Sequence, residues 1–365
     1  MRVAHVVLHS CVRAYKQGWI LKERGHQVHI VTERPVHAYG WKDFDALHLV
    51  HTGHLDGAPR LDKDQIYSTI KAINDSVDIF HFHNEPDWPM EVIRAATKKP
   101  LVYDIHDMVS QRQEMPDEEK TAFECADAFV CPSRDYVDIV KGRSNKPVIE
   151  LLSCVPSKLF PTVRRKPFHN GLVYEGGLKG KPREGSQQFE FRSWKDVFTM
   201  LGQLDVPITA YPTSGEEDYS EYAKGGAMIM QPVNYDEMLK NLTSFEAGLV
   251  GTPFNTGAFN GANPNKMFEY AAAGIPMIAL KAPTAKGFLE ATGFGIGVEN
   301  VEDIPAAMNE LWESGARDEV WELRKHWTME TQVDKLETLY SELLGEKSNV
   351  IKPDRWIAQQ SENFG

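Results

Sequence analysis

Lys266 and Glu269 stand three residues apart in the stretch NPNKMFEYAAAGIP, residues 263–276. Asn263 is a natural N-cap, and Pro264 suits a first helical position, where a missing N–H costs nothing. Lys266 then falls in the first turn, among backbone N–H groups that have no partner within the helix. Those donors and the positive end of the helix dipole form an anion site, to which Lys266 adds a full charge. Glu269 shares the helix face, roughly 4.5 Å further along the axis. A cation for phosphate followed one turn later by an acceptor for hydroxyls fits a nucleoside diphosphate and its ribose. The alternative is an ordinary capped helix with a surface Lys and Glu.

Three other clusters carry chemistry. The stretch EGGLKGKPREG (175–185) interleaves Gly176, Gly177, Gly180 and Gly185 with Lys179, Lys181 and Arg183. Glycines let a backbone curl around phosphate oxygens while the basic side chains supply charge. The other two lie in the first half, HFHNEPDWP at 81–89 and YDIHDMVSQR at 103–112. Each follows a strand-like run, where an open α/β sheet places its ligands. His81 and His83 alternate and so share a strand face, and His106 lies between Asp104 and Asp107.

The elements that must hold these groups read as strand and helix in alternation. VAHVVLH, QVHIVT, ALHLV, VDIFHFH, LVYDIH, AFVCP and PVIELL read as strands, with helices around Ala14–Glu23 and at QIYSTIKAIN, MEVIRAAT and EKTAFECA. Short apolar strands alternating with helices imply a parallel sheet covered on both faces. The pattern pauses in a segment rich in Pro and basic residues, then resumes with GLVYEGG and continues to about Leu344. The expected organisation is an α/β chain of two doubly wound, Rossmann-like domains, 1–155 and 171–345. They are joined by a linker at 156–170 and followed by a polar tail at 346–365, either disordered or returning to the first domain.

The segment NPNKMFEYAAAGIPMIA (263–279) resembles the donor-site signature of the GT-B-fold glycosyltransferases of family 4. The resemblance extends over nearly the whole chain and implies two domains facing across a cleft. It also implies sugar transfer from a nucleotide-diphosphate donor, a UDP- or GDP-sugar, to an acceptor hydroxyl with retention of anomeric configuration. By that resemblance Lys266 contacts the diphosphate and Glu269 the ribose hydroxyls. Gly176 and Gly177 form the glycine turn, followed by Arg183, Lys181 or Lys179 as a basic diphosphate ligand, Arg183 being favoured. His106 matches the family histidine that contacts the donor sugar, with His83 lining the site and Asp107 or Arg112 near the acceptor. Asn263 and Asn265 complete the nucleotide side. Many family members have a second glutamate eight positions before Glu269, where this chain has Gly261. The glycines of the loop NTGAFNGAN offer backbone amides instead.

Composition agrees with this class. The 365 residues are natural for two domains, and 42% hydrophobic with 25% charged residues describes an ordinary globular protein. A formal net charge of −12 argues against a nucleic-acid polymer as partner. A local run of cations from Lys158 to Arg183 suits a small phosphorylated ligand. No apolar run approaches the ~20 residues of a membrane span, and the N-terminus runs straight into a strand, so a cytoplasmic location is expected.

Cys11, Cys125, Cys131 and Cys154 form no CxxC pair and are expected to be reduced thiols. No metal is expected. His48, His51 and His54 lack the accompaniment of a zinc site, and Asp62–Asp64 reads as the acidic opening of a helix. A Rossmann dinucleotide site is excluded, because no GxGxxG follows the first strand. Oligomeric state is open, as are the sugar, the base and the acceptor, a glycan or another hydroxyl compound. The alternatives to a transferase are a GT-B nucleotide-sugar epimerase and a catalytically silent binding protein of the same fold.

Overall fold

The computed structural model describes residues 1–8, 11–33, 43–50, 52–55, 58–84, 86–111, 115–166, 169–178, 193–213, 218–253 and 263–346. The described residues divide into two compact units, Met1–Ser153 with the segment from Met329 onward, and Cys154–Thr328.

In the first unit the order is β1 (Arg2–Val7), α1 (Val12–Glu23), β2 (Gln27–Thr32), β3 (Ala46–Leu49) and a hairpin of β4 (Thr52–Leu55) and β5 (Ala58–Leu61). Then come α2 (Lys63–Ile73), β6 (Ile79–His83), α3 (Pro89–Ala96), β7 (Leu101–Asp104), α4 (Asp117–Cys125), β8 (Ala128–Cys131), α5 (Arg134–Arg143) and β9 (Val148–Glu150). Seven strands form one sheet in the order β3-β2-β1-β6-β7-β8-β9, all parallel. The order reverses between β1 and β6, and a crevice outside the carboxyl ends of the strands opens at such a switch point. The register there sets His5 opposite His81, Val7 opposite His83, and His83 opposite Asp104. Beyond the leading Arg2 of β1, the central strands β1, β6 and β7 are buried on both faces, and accordingly they read as apolar runs broken by His and Asp.

The second unit runs β10 (His169–Gly176), α6 (Lys195–Gln203), β11 (Ile208–Pro212), α7 (Ser220–Lys224), β12 (Met228–Ile229), α8 (Tyr235–Leu242) and β13 (Phe245–Gly251). It continues with α9 (Asn265–Ala273), β14 (Met277–Leu280), α10 (Pro283–Thr292), β15 (Gly295–Val298), α11 (Ile304–Glu313) and α12 (Ala316–Leu323). Its six parallel strands lie in the order β12-β11-β10-β13-β14-β15, so the switch point falls between β10 and β13.

The last helix, α13 (Met329–Leu343), groups with the first unit, whereas the strand–helix count assigns residues up to 345 to the second domain. Met329, Val333, Leu336, Leu339 and Tyr340 recur at helical spacing and join the same core as Val3, Ala14, Ile20 and Val28. Arg24 fixes the helix from outside by bonding Asp334, Glu337 and the Glu330 carbonyl, and His26 lies 2.7 Å from Glu337. Helical periodicity reports that a helix has an apolar face, not which sheet that face covers. The first strand of the second unit, β10, also begins earlier than expected, at His169 inside the 156–170 segment.

Asp62 accepts from the backbone N–H groups of Asp64 and Gln65 as the N-cap of α2, the structural role read for the Asp62–Asp64 run. Among the described residues no helix is long and apolar enough to cross a membrane.

Candidate functional site

Helix α9 carries the second unit's candidate groups. Its N-cap is Pro264 rather than Asn263, with backbone φ −68° and ψ 151°, so Asn265 is the first helical residue. Asn263 is buried, its Oδ1 without a partner among the described residues, one residue outside the helix. The shift arises because proline's ring already holds an extended entry to the helix. Met267 N–H donates to the Pro264 carbonyl, closing the first turn without a side-chain cap. The helix ends as read, on Gly274 in the left-handed conformation.

Lys266 is half-buried in that first turn, its Nζ 3.8 Å from the centroid of the Tyr174 ring. Tyr174 lies near the end of β10, and its hydroxyl donates to the Gly177 carbonyl at 3.1 Å. Gly176 ends the strand at φ +126°, and a Cβ there would meet Lys266 Nζ at 3.0 Å. The glycine turn and Lys266 therefore adjoin, and the turn admits no side chain without displacing the ammonium. Glu269 is buried one turn on, where Tyr235, the first residue of α8, donates its hydroxyl to Oε1 at 2.9 Å.

Close packing of α9 on the sheet sets these positions. Tyr270 donates its hydroxyl to the Val173 carbonyl and accepts from the Glu175 N–H at 2.9 Å, tying the helix to β10. Its ring lies flat over Gly248 of β13, where a Cβ would sit 2.3 Å from Tyr270 Cδ2. Lys266, Glu269, Gly176, Gly177, Asn263 and Asn265 thus collect at the carboxyl ends of β10 and β13. Lys179, Lys181, Arg183 and Gly261 lie outside the described residues.

The first unit holds a separate cluster at its own switch point. His83 is buried, with Nε2 2.8 Å from His5 Nδ1 and Nδ1 3.1 Å from His106 Nε2. Buried Asp104 is its anionic hub. Both carboxylate oxygens accept from Arg13 Nε, at 2.9 and 3.0 Å, and Oδ2 also accepts from Gln17 at 2.7 Å. His81 Nε2 and His83 Nδ1 each lie 3.4 Å from Oδ2, and His106 Nε2 lies 3.9 Å from Oδ1. Behind them Tyr340 of α13 meets His81 Nδ1 at 2.5 Å.

Burial alone would push the Asp104 carboxyl up, but the Arg13 charge and the histidines outweigh it and hold it well below the usual carboxylate range. Burial pushes His106 down to about 4 against the opposing pull of Asp104, and drives His83 and His5 well below the ordinary imidazole value. The imidazoles are neutral at pH 7, so each ring presents one N–H and one lone pair. His106, its side chain 20% exposed, is the member that reaches solvent.

Asn84 fixes the loop that carries His106. Its Oδ1 accepts from the His106 N–H at 2.6 Å and its Nδ2 donates to the Asp107 carbonyl at 2.7 Å. His106, His83 and Asp107 therefore belong to one local assembly, while Arg112 lies outside the described residues. His5, Arg13, Gln17, Asn84, Tyr340 and Tyr235 escape sequence reasoning. Arg13 and Gln17 read in sequence as the ordinary polar face of a helix, with no local signal of their burial. His48 of β3 stacks on His29 with ring nitrogens 3.2 Å apart, and both are pushed down by burial. The side chains of His51 and His54 lie outside the described residues.

Residues 14–150 match the family model described as Glycosyltransferase Family 4. No curated protein matches the chain significantly in sequence. Solved structures match over nearly the full length. Sucrose-phosphate synthase from Thermosynechococcus elongatus has a TM-score of 0.66 at 12% identity, covering 94% of this chain and 99% of its own. A glycosyltransferase from Rickettsia africae gives 0.66 at 12% identity, with 95% and 99% covered. Anabaena HepE, solved in complex with UDP-glucose, gives 0.66 at 13% identity, with 94% and 99% covered. At such identity these matches establish the fold, which is GT-B. The family 4 resemblance read from residues 263–279 is met by an independent stretch, because the family model matches the first domain and not that signature.

Proposed function

We propose, from the premise of a GT-B fold and a family 4 resemblance, that the chain transfers a sugar from a nucleotide-diphosphate donor to an acceptor hydroxyl with retention of configuration. The supporting observation is the pairing on α9 of Lys266 in the first turn, against the Gly176 turn, with buried Glu269 one turn later. The UDP-glucose bound to the similarly folded Anabaena protein favours a UDP-sugar over a GDP-sugar here.

In this reading the helix N-terminus and Lys266 hold the diphosphate, with Arg183 or Lys181 as a second cation, and Glu269 accepts from the ribose hydroxyls. Asn263, Asn265, Gly177 and Gly261 lie along the nucleotide. His106 orients the sugar, with His83 behind it and Asp107 toward the acceptor. Catalysis is then positioning and charge stabilisation. As the glycosidic bond to the leaving phosphate breaks, negative charge grows on oxygens that already face preorganised donors. The acceptor attacks on the face the diphosphate leaves, and a phosphate oxygen takes its proton. The diphosphate charge needs no bound metal, since Lys266 and the helix end balance it.

Incubation with UDP- and GDP-sugars and a panel of hydroxyl acceptors tests this directly. The expected outcome is release of nucleoside diphosphate and a glycoside whose anomeric configuration, read by NMR, matches the donor. A donor converted to its epimer without acceptor identifies an epimerase. Tight nucleotide binding with no turnover identifies a silent binding protein. Either result overturns the transferase reading.

A further inference from the structure

The sequence predicts no metal, yet the first unit brings together three groups that sequence spacing could not associate. Cys11, His83 and His106 each offer a ligand atom, and all three atoms lie within 4.8 Å of one another. From these positions we infer that the first domain holds a site for a borderline-soft divalent cation of the Zn²⁺ class, bound by Cys11 Sγ, His83 Nδ1 and His106 Nε2.

The geometry is close to what a tetrahedral ion requires. Bonds of about 2.0–2.1 Å to nitrogen and about 2.3 Å to sulfur set ligand atoms about 3.3–3.6 Å apart. His83 Nδ1 and His106 Nε2 are already 3.1 Å apart, and the Cys11 sulfur lies within 4.8 Å of a ring nitrogen of each. The outer contacts orient the donors. His83 Nε2 meets His5 Nδ1 at 2.8 Å, so the tautomer protonated at Nε2 donates there and directs the Nδ1 lone pair at the ion. Asn84 holds the His106 backbone from behind. Cys11 caps α1, its sulfur accepting from the Ala14 N–H at 3.4 Å, which holds it at that helix end. Burial pushes the thiol up to about 12, so the ion must displace its proton. On binding, the thiol proton passes to solvent and sulfur forms the metal bond.

One thiolate and two imidazoles form a set that suits Zn²⁺, Co²⁺ or Cu²⁺ and disfavours Mg²⁺ or Ca²⁺. Cys11 and His106 are only partly buried, so a fourth position remains for water, and the sugar contact proposed for His106 falls to its other ring nitrogen, Nδ1. The neighbouring triad His5, His81 and His83 is less suited. It is sealed from solvent, and His81 Nδ1 already meets Tyr340.

Titration of the full chain with Co²⁺ tests the site by a readout independent of sugar transfer. The expected spectrum shows one equivalent bound, with intense tetrahedral visible bands and a thiolate-to-cobalt charge-transfer band in the near ultraviolet, both abolished by one equivalent of Zn²⁺. Cys11→Ser should remove the charge-transfer band and weaken binding at least tenfold, while Cys125→Ser leaves both unchanged. Serine is a better N-cap than cysteine, so the variant keeps the fold. His106→Ala, at a partly exposed position, should weaken binding at least tenfold while the thiolate band survives at high Co²⁺. The inference is overturned by a charge-transfer band that survives Cys11→Ser, by unchanged affinity in His106→Ala, or by no binding of Co²⁺ or Zn²⁺ at millimolar concentration.

Discussion

Tyr235 donates its hydroxyl to Glu269 Oε1 across 2.9 Å, so the carboxylate proposed to grip a ribose is already anchored by the first residue of the preceding helix. A hydrogen bond to a charged acceptor contributes about 1.5–3 kcal/mol. Tyr235→Phe removes that bond, and the KM for donor should rise roughly tenfold with kcat less affected. Equal KM values in wild type and variant would count against a positioning role for Tyr235.

Lys266 makes no ion pair among the described residues and rests on the Tyr174 ring, so its removal should trouble the reaction far more than the fold. Lys266→Ala should lower turnover by about 10²-fold or more, the scale of losing one preorganised charge donor. Exposed cation–π contacts contribute only about 0.5–1 kcal/mol, so the melting temperature should move little. Comparing initial rates with thermal melts separates the two effects.

The same substitution should have opposite signs at two glycines. At Gly248 a new Cβ collides with the Tyr270 ring, itself pinned by its hydroxyl to Val173 and Glu175. Gly248→Ala should therefore destabilise by about 1–3 kcal/mol or more. At Gly287, inside α10, a Cβ meets nothing within 4 Å, and Gly287→Ala should stabilise by about 0.5–1 kcal/mol. Urea unfolding midpoints of the two variants give the signs.

Removing one partner from the Asp104–Arg13 pair leaves a charge stranded in the interior, since the side chains are 0% and 3% exposed. Asp104→Asn should lower stability by about 3–5 kcal/mol. Asn84→Ala, which removes hydrogen bonds to the His106 N–H, the Asp107 carbonyl, Asp87 and Tyr103 but strands no charge, should be milder. Equal denaturation midpoints for Asp104→Asn and wild type would refute this view of the hub.

The histidine cluster makes stability depend on pH with a definite sign. His106 takes its proton near pH 4 when folded and near 6.5 when unfolded. Between those values the unfolded chain binds the extra proton, so stability falls as the pH drops through 6.5 toward about 4. The loss reaches up to about 1.4 kcal/mol per pH unit for each such histidine. His83 and His5 act in the same direction. The depressed carboxyl of Asp104 adds a further loss below its unfolded value, near 3.8. Melting temperatures should therefore drop between pH 7 and pH 5, and a flat profile would exclude the buried neutral imidazoles.

Much of this fold was legible because its signals are local. Short apolar strands, intervening helices and the Gly274 cap each occupy a few consecutive residues, and the parallel sheets follow from their alternation. Lys266 and Glu269 were legible for the same reason, since three residues on one helix fix a distance. What escaped depends on register between distant strands. That His5 would meet His83 follows from the pairing of β1 with β6, which no spacing encodes. The buried Arg13 and Gln17 look like an ordinary polar helix face until Asp104 is set against them. Pro264 in place of Asn263 at the cap is a one-residue error of the kind helix ends invite.

The closing helix has a consequence for how the molecule is made. The ribosome delivers the first sheet early, but Val333, Leu336, Leu339 and Tyr340, which cover part of it, emerge only after residues 154–328. At about 5–20 residues per second, that wait is on the order of ten seconds or more. Through that interval the nascent amino-terminal half carries an uncovered greasy flank, a natural target for chaperones. A fragment stopped at Ser153 would keep that flank bare permanently.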